Sequence, residues 1–188
     1  DLYKEHFEHV YTQARLKKVG FGTIANQSKA KVVEDLYGLM PSVETDMTIL
    51  FRTLASITSE RKQLQKSNEE LSCLLKESFY KYDEFTPQQH QDWAAWLRSY
   101  IDFLDADKSD DRQRKIEMNK VNPKFIFRNY LAQLAIDDAE NGKYDTLHDL
   151  FKVLQNPYDE QPDFAEWAGK MPEWARNRAG CSMLSCSS

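Results

Sequence analysis

Glycine is scarce, with six in 188 residues. Nowhere do apolar and polar residues alternate over the length of a strand. A turn-rich β protein needs both features, so sandwiches and barrels are excluded. No apolar run reaches the eighteen or so residues that a membrane-spanning helix requires, which predicts a chain with no membrane partner. The opening residues also lack a charged start followed by an apolar signal core. Cysteine is limited to Cys73, Cys181 and Cys186, a poor disulfide framework that fits a reducing, cytoplasmic setting. Basic charge is not concentrated either. Twenty-five Lys and Arg are spread among thirty Asp and Glu, for a net charge of −5, and no basic stripe of the kind that binds nucleic acid is visible. The first residue, Asp1, falls inside a helical pattern, so the expectation is a piece of a longer protein.

What is present is a series of apolar stripes at helical spacing. Leu2, Phe7, Val10, Tyr11 and Ala14 mark a helix that stops at Gly20-Phe21-Gly22. Val32, Val33, Leu36 and Leu39 mark a second, ended by Pro41. Met47, Leu50, Phe51 and Leu54 mark a third over 43–57, and Leu71, Leu74 and Leu75 a fourth over 68–79, which places Cys73 on a buried stripe. Thr86-Pro87-Gln88-Gln89 is a helix start in which the Thr hydroxyl and the Gln amide satisfy exposed backbone N–H groups. The helix it opens presents Trp93, Trp96, Leu97, Tyr100, Ile101 and Leu104. A polar helix to about Lys120 follows the acidic break 105–111. Asn122-Pro123 is expected to start the most apolar helix, through Ile126 and Phe127 to Ile136, closing at Asn141-Gly142. A helix over 145–155 and two short pieces near 164–168 and 172–176 complete the pattern. The expected fold is all-α: an irregular multi-helix bundle over 1–176, then a flexible tail over 177–188.

Few residues suggest chemistry. His6 and His9 share a helix face, but a zinc site needs a third or fourth ligand that the nearby chain does not offer. Asp105-Ala106-Asp107-Lys108-Ser109 starts like a calcium loop, yet the required Gly and Glu positions hold Asp110 and Ile116. Gly20-Phe21-Gly22 lacks the third glycine, the preceding strand and the Lys-Ser/Thr of a phosphate cradle, and reads as a helix terminator. No Ser-His-Asp or Cys-His arrangement can be nominated, so no catalytic, cofactor-binding or metal residue is assigned. Two features stand out. Arg128 and Asn129 interrupt an apolar helix, where polar groups must find partners or solvent, and form a docking candidate. Cys181 and Cys186, on an unstructured end, can reach each other or a third thiol and form a redox candidate.

Some of these residues carry a family resemblance. Asn122-Pro123, continuing to Arg128-Asn129-Tyr130-Leu131-Ala132-Gln133, resembles the N-P-x-x-x-x-R-N-Y-L-A-Q stretch of the selenoprotein O (YdiU) family. Asp46-Met47-Thr48 with Phe51-Arg52 and Leu54 is similar to its D-x-T-x-x-F-R-x-L pattern. Asn156-Pro157-Tyr158-Asp159-Glu160 and the terminal Ser185-Cys186-Ser187-Ser188 resemble two more, in the right order along the whole chain. The resemblance implies a pseudokinase that binds ATP inverted and transfers AMP to Ser, Thr or Tyr of other proteins. Its ATP and magnesium residues would lie in an N-terminal kinase-like region, with this chain as the C-terminal helical region packed on it. In the selenoprotein members selenocysteine holds the third position from the end, where Cys186 stands here. A competing expectation is a free-standing helical-repeat interaction module, suggested by the paired helices 124–141 and 145–155. A true array would show a fixed period, and none recurs.

Overall fold

The computed structural model describes residues 2–22, 26–108 and 110–181. It is all-α, and among the described residues the only β pairing is an isolated antiparallel bridge between Thr45 and Phe79. The helices are α1 (Leu2–Lys18), α2 (Gln27–Leu39), α3 (Met47–Leu54), α4 (Asn68–Ser72), α5 (Pro87–Ala106), α6 (Asp111–Val121), α7 (Asn129–Glu140) and α8 (Asp145–Gln155), with short 3₁₀ turns between several of them. The chain divides into two compact units, Asp1–Asn122 and Pro123–Ser188.

The first unit is built around α5. Its start is the expected reciprocal cap: Gln89 N donates to Thr86 Oγ1 at 3.3 Å while Thr86 N donates to Gln89 Oε1 at 2.8 Å. From it Trp93, Trp96, Leu97, Tyr100, Ile101 and Leu104 enter a core with Val33 and Leu36 of α2 and Leu50, Phe51 and Leu54 of α3. Trp96 stacks on Tyr100, ring centres 5.2 Å apart, and donates its indole N–H to Val32 O at 2.9 Å. Phe79 meets Trp93 edge-on at 4.7 Å.

The fourth helix is shorter than its apolar spacing implies. After Ser72 the chain tightens into a 3₁₀ turn, Cys73–Ser78. Three residues per turn instead of 3.6 changes which side chains face inward. Leu71, Ser72, Leu75 and Ser78 are buried, and Cys73, expected on the buried stripe, is exposed.

The second unit is smaller. Tyr130, Leu131 and Ala135 of α7, Leu150 of α8, Ala175 and Cys181 form its cluster, flanked by Leu154, Trp167 and Met171. The expected helix from Asn122 does not form there. Asn122 takes an extended conformation (φ −114°, ψ 102°), as the residue before a proline prefers. Residues 123–128 run as a loop, and α7 begins at Asn129, with Arg128 extended before it (φ −87°, ψ 138°).

Candidate functional site

The motif residues that carry the family resemblance come together as internal braces. In the first unit Asp46 N-caps α3, its carboxylate accepting from Ile49 N at 3.0 Å. That cap orients α3 so that Phe51 and Leu54 enter the core while Arg52 points back toward Asn122, donating to its carbonyl at 3.3 Å. The Asn122 side chain closes the clasp. Its amide donates to Lys18 O at 2.8 Å and its Oδ1 accepts from Lys18 Nζ at 3.3 Å. The ammonium of Lys18 sits 5.1 Å from the centre of the Phe51 ring, and burial lowers its pKa. Residues of two motifs, Arg52 and Asn122, thereby tether the end of α6 to α1 and α3.

In the second unit the continuation of the Asn122 stretch meets the stretch over 156–160. Pro157 O accepts from Lys124 N at 2.8 Å and from Phe125 N at 3.0 Å, and Lys124 forms an ion pair with Glu160. This holds the loop ahead of α7, so that Arg128 O accepts from Leu131 N and Ala132 N and opens the helix. Arg128, half-buried, is thus the N-cap of α7 rather than a mid-helix residue, and Asn129 is exposed in the first turn. A guanidinium in the N-cap position is not a capping group, and the Arg128 side chain makes no cap hydrogen bond to α7.

Of the two thiols read as redox candidates, Cys186 lies outside the described residues. Cys181 was expected on a free end, but it is only 4 % exposed, in the cluster with Tyr130 and Leu131. The reason is a return of the chain onto α7 that no periodicity signals. Arg178 donates to Asp137 Oδ1 at 2.7 Å, and Asp137 also accepts from Gln133 at 2.9 Å. The Gln133 bond, then Arg178, lower the Asp137 pKa. Gly180 has φ +83°, a left-handed backbone conformation that favours glycine, and it sits against the end of the Gln133 side chain.

Sequence reasoning missed a buried polar group beneath the first unit's surface. Arg114 is almost fully enclosed, donating to Tyr100 Oη at 3.1 Å, to Asp111 Oδ1 at 2.9 Å and to the Ile57 carbonyl. Tyr100 in turn donates to Val19 O at 2.9 Å. The Asp111 carboxylate accepts from Ser59 N at 2.9 Å. Gly20 (φ +82°) makes room for this arginine, because a Cβ there would fall 2.8 Å from Arg114 Cγ. Only the Asp111–Arg114 spacing was visible in sequence; Ile57 and Tyr100 arrive from elsewhere in the fold. A cleft of about 580 Å³ opens beside Arg114 and Gly20. Ser72 and His90, eighteen residues apart, also pair, Oγ to Nδ1 at 2.8 Å. Ser72 is wholly buried and also bonds Tyr82 Oη at 3.0 Å, which makes this a tie between α4 and α5 and not an exposed nucleophile. Asp110, from the acidic break, N-caps α6 by accepting from Gln113 N at 3.0 Å. His9 pairs with Gln13 on α1.

The braces coincide with motif positions, and the comparison with known proteins agrees. The family model for protein adenylyltransferase SelO matches residues 1–155. The chain belongs to this family. It is 41 % identical over 193 residues to a protein nucleotidyltransferase YdiU of Rhodopirellula baltica, covering all of this chain and 36 % of that relative. The relative from Aromatoleum aromaticum, with the same name, is 40 % identical over 188 residues, again across the whole chain and 34 % of its own length. That of Flavobacterium johnsoniae is 39 % identical over 178 residues, 95 % of this chain and 33 % of the relative. The chain therefore spans about a third of the SelO-family relatives it matches. Family membership replaces the helical-repeat alternative.

Proposed function

We propose that this chain is the C-terminal helical region of a protein adenylyltransferase that moves AMP from ATP to Ser, Thr or Tyr hydroxyls of other proteins. The SelO-family match over residues 1–155, with relatives that bear the name protein nucleotidyltransferase, is the observation that supports it. In such a transfer the hydroxyl oxygen bonds to the α-phosphorus, the bond from that phosphorus to the bridging oxygen breaks, and pyrophosphate leaves. Catalysis is then mostly positioning and charge neutralisation. ATP and magnesium would be held by a kinase-like region outside this chain. The role of this chain is support, seating on that region, with Arg128 and Asn129 at the start of α7 among its anchors. The protein made from the complete gene should attach AMP to an acceptor protein in ATP and magnesium, seen as an added AMP mass, while residues 1–188 alone should not. Labelling by residues 1–188 alone, or none by the complete protein with any acceptor, would sink this reading.

The same reading gives Cys186 a regulatory task. Its thiol and a second thiol in the kinase-like region would lose two protons and two electrons to a peroxide, which becomes two waters, and the disulfide would slow AMP transfer. Cys181, buried, is a poor partner for this chemistry, since oxidant must reach the sulfur. Mass mapping after mild peroxide treatment, beside Cys186→Ser, tests it. A variant that responds to peroxide as the parent does removes the role.

A further inference from the structure

The outer face of α1 carries an apolar ridge that no described residue of its own unit covers. Residues 2–11 are all exposed, yet they include Leu2 (87 % exposed), Tyr3, Phe7 (56 %), Val10 and Tyr11. The part of α1 that enters the core is its end, through Leu16. Phe7 and Leu16 are nine residues apart, about two and a half helical turns, so they lie on opposite sides of the helix. Phe7 therefore faces away from the unit's own core, and no small shift of α1 would bury both.

The outer face is also organised. Tyr3, Phe7 and Tyr11 stand in one i, i+4 row with rings stacked at 6.5 and 5.9 Å. The row continues inward through Arg15, whose guanidinium lies 5.3 Å from the Tyr11 ring centre and 4.0 Å from that of Tyr37. Beside it is a notch of about 220 Å³ lined by Val10, Gln13, Ala14, Lys17, Lys18 and Val121. An i, i+4 ridge with an adjacent notch is the shape that packs against another helix. Ten residues of helix standing in water are marginal by themselves, and a contiguous apolar patch of this kind marks an interaction surface.

We infer that the Tyr3–Phe7–Tyr11 ridge and its notch are the seam by which this region seats on the rest of the nucleotidyltransferase. The occupant follows from length. The relatives carry about twice as much chain again beyond the third matched here, and that remainder must meet this region somewhere. The inference rests on the reading of this chain as part of a longer nucleotidyltransferase.

Hydrogen exchange on the protein made from the complete gene tests the seam. Amides of residues 4–11 should exchange about 100-fold or more slower than an unstructured peptide, and Phe7→Ser should remove that protection while α5 stays protected. Near-unprotected exchange of residues 4–11 in a protein that transfers AMP overturns the seam and leaves the function standing. Protection there in a complete protein that transfers no AMP supports the seam and sinks the function. Protection that appears only at concentrations where light scattering shows a dimer assigns the ridge to a second copy and overturns the inference.

Discussion

Arg114 shows how one residue can matter more than its sequence context suggests. A cation this deep is tolerable only when its N–H groups are taken up, and here Asp111, Tyr100 and the Ile57 carbonyl take up most of them. Its Nε has no hydrogen-bond partner among the described residues, so the group is costly even when intact. Arg114→Ala removes one of Asp111's partners, leaves Tyr100 and the Ile57 carbonyl without their donor and opens a void beside Gly20, and should destabilise by about 3 kcal/mol, read as a lower urea midpoint. The same cluster predicts two pH limits. Burial alone would raise the Asp111 pKa, but the bonds from Arg114 and Ser59 outweigh it and the pKa is lowered. A depressed carboxylate adds stability above its unfolded pKa of about 3.9, and that stability disappears as pH falls through the folded value. Tyr100 is the opposite case. Burial pushes it up to about 12, against a smaller pull from Arg114, so its contribution is complete below about 10 and is lost as pH rises toward 12. Urea midpoints across pH should fall at both ends. Asp111→Asn should flatten the acid limb and Tyr100→Phe the alkaline limb; limbs that survive both substitutions would assign the pH dependence elsewhere.

At the scale of elements, what was readable was whatever a short stretch decides for itself. The Thr86 cap on α5 is local chemistry, and Thr86→Ala should cost about 1 kcal/mol. The apolar stripe on α5 was likewise legible, since period and burial agree there. Trp96→Ala should cost roughly 3–5 kcal/mol, more than the cap, because it empties the stack on Tyr100 and loses the bond to Val32; calorimetric melting of both variants would rank them. Trp93 makes a useful contrast, because its indole N–H has no partner among the described residues. The misreadings occurred where distant contacts override local pattern. Cys73 turned outward because α4 tightened into a 3₁₀ turn. The start of α7 moved from Pro123 to Asn129 because Pro157, thirty-odd residues away, captures the N–H groups of Lys124 and Phe125. The shift changes what Arg128 does: as an N-cap side chain it can reach beyond the helix. If it anchors this region to the remainder of the protein, Arg128→Ala in the complete protein should lower stability by more than the ~0.5 kcal/mol of an ordinary surface change, or slow AMP transfer. Parent-like stability together with parent-like transfer would return it to a local role.

For the molecule as a whole, the two units differ in what holds them. The first wraps α5 in aromatic and aliphatic side chains drawn from every helix from α1 to α6. The second has a short cluster centred on Tyr130, Leu131 and Leu150, and leaves Phe127, Ile136, Leu147 and Phe151 exposed, the last at 67 %. Small chains bury a smaller fraction of their apolar surface, and burial is the main favourable term against chain entropy. Part of what the second unit does hold comes from surface links, such as Arg178 with Asp137, which salt screens and which contribute little when exposed. The second unit should therefore open more readily. In the 188-residue chain, amides in the middle of α7 and α8 should exchange about ten-fold or more faster than those in the middle of α5, and added salt should widen the gap. Gly180→Ala sharpens the test, because a Cβ at φ +83° strains the turn and displaces the end of the Gln133 side chain, loosening the return over α7. That variant should speed exchange in α7 and raise the accessibility of Cys181 to a thiol reagent while α5 is unaffected. Equal protection of α5, α7 and α8, falling together in Gly180→Ala, would show that the two units unfold as one cooperative body.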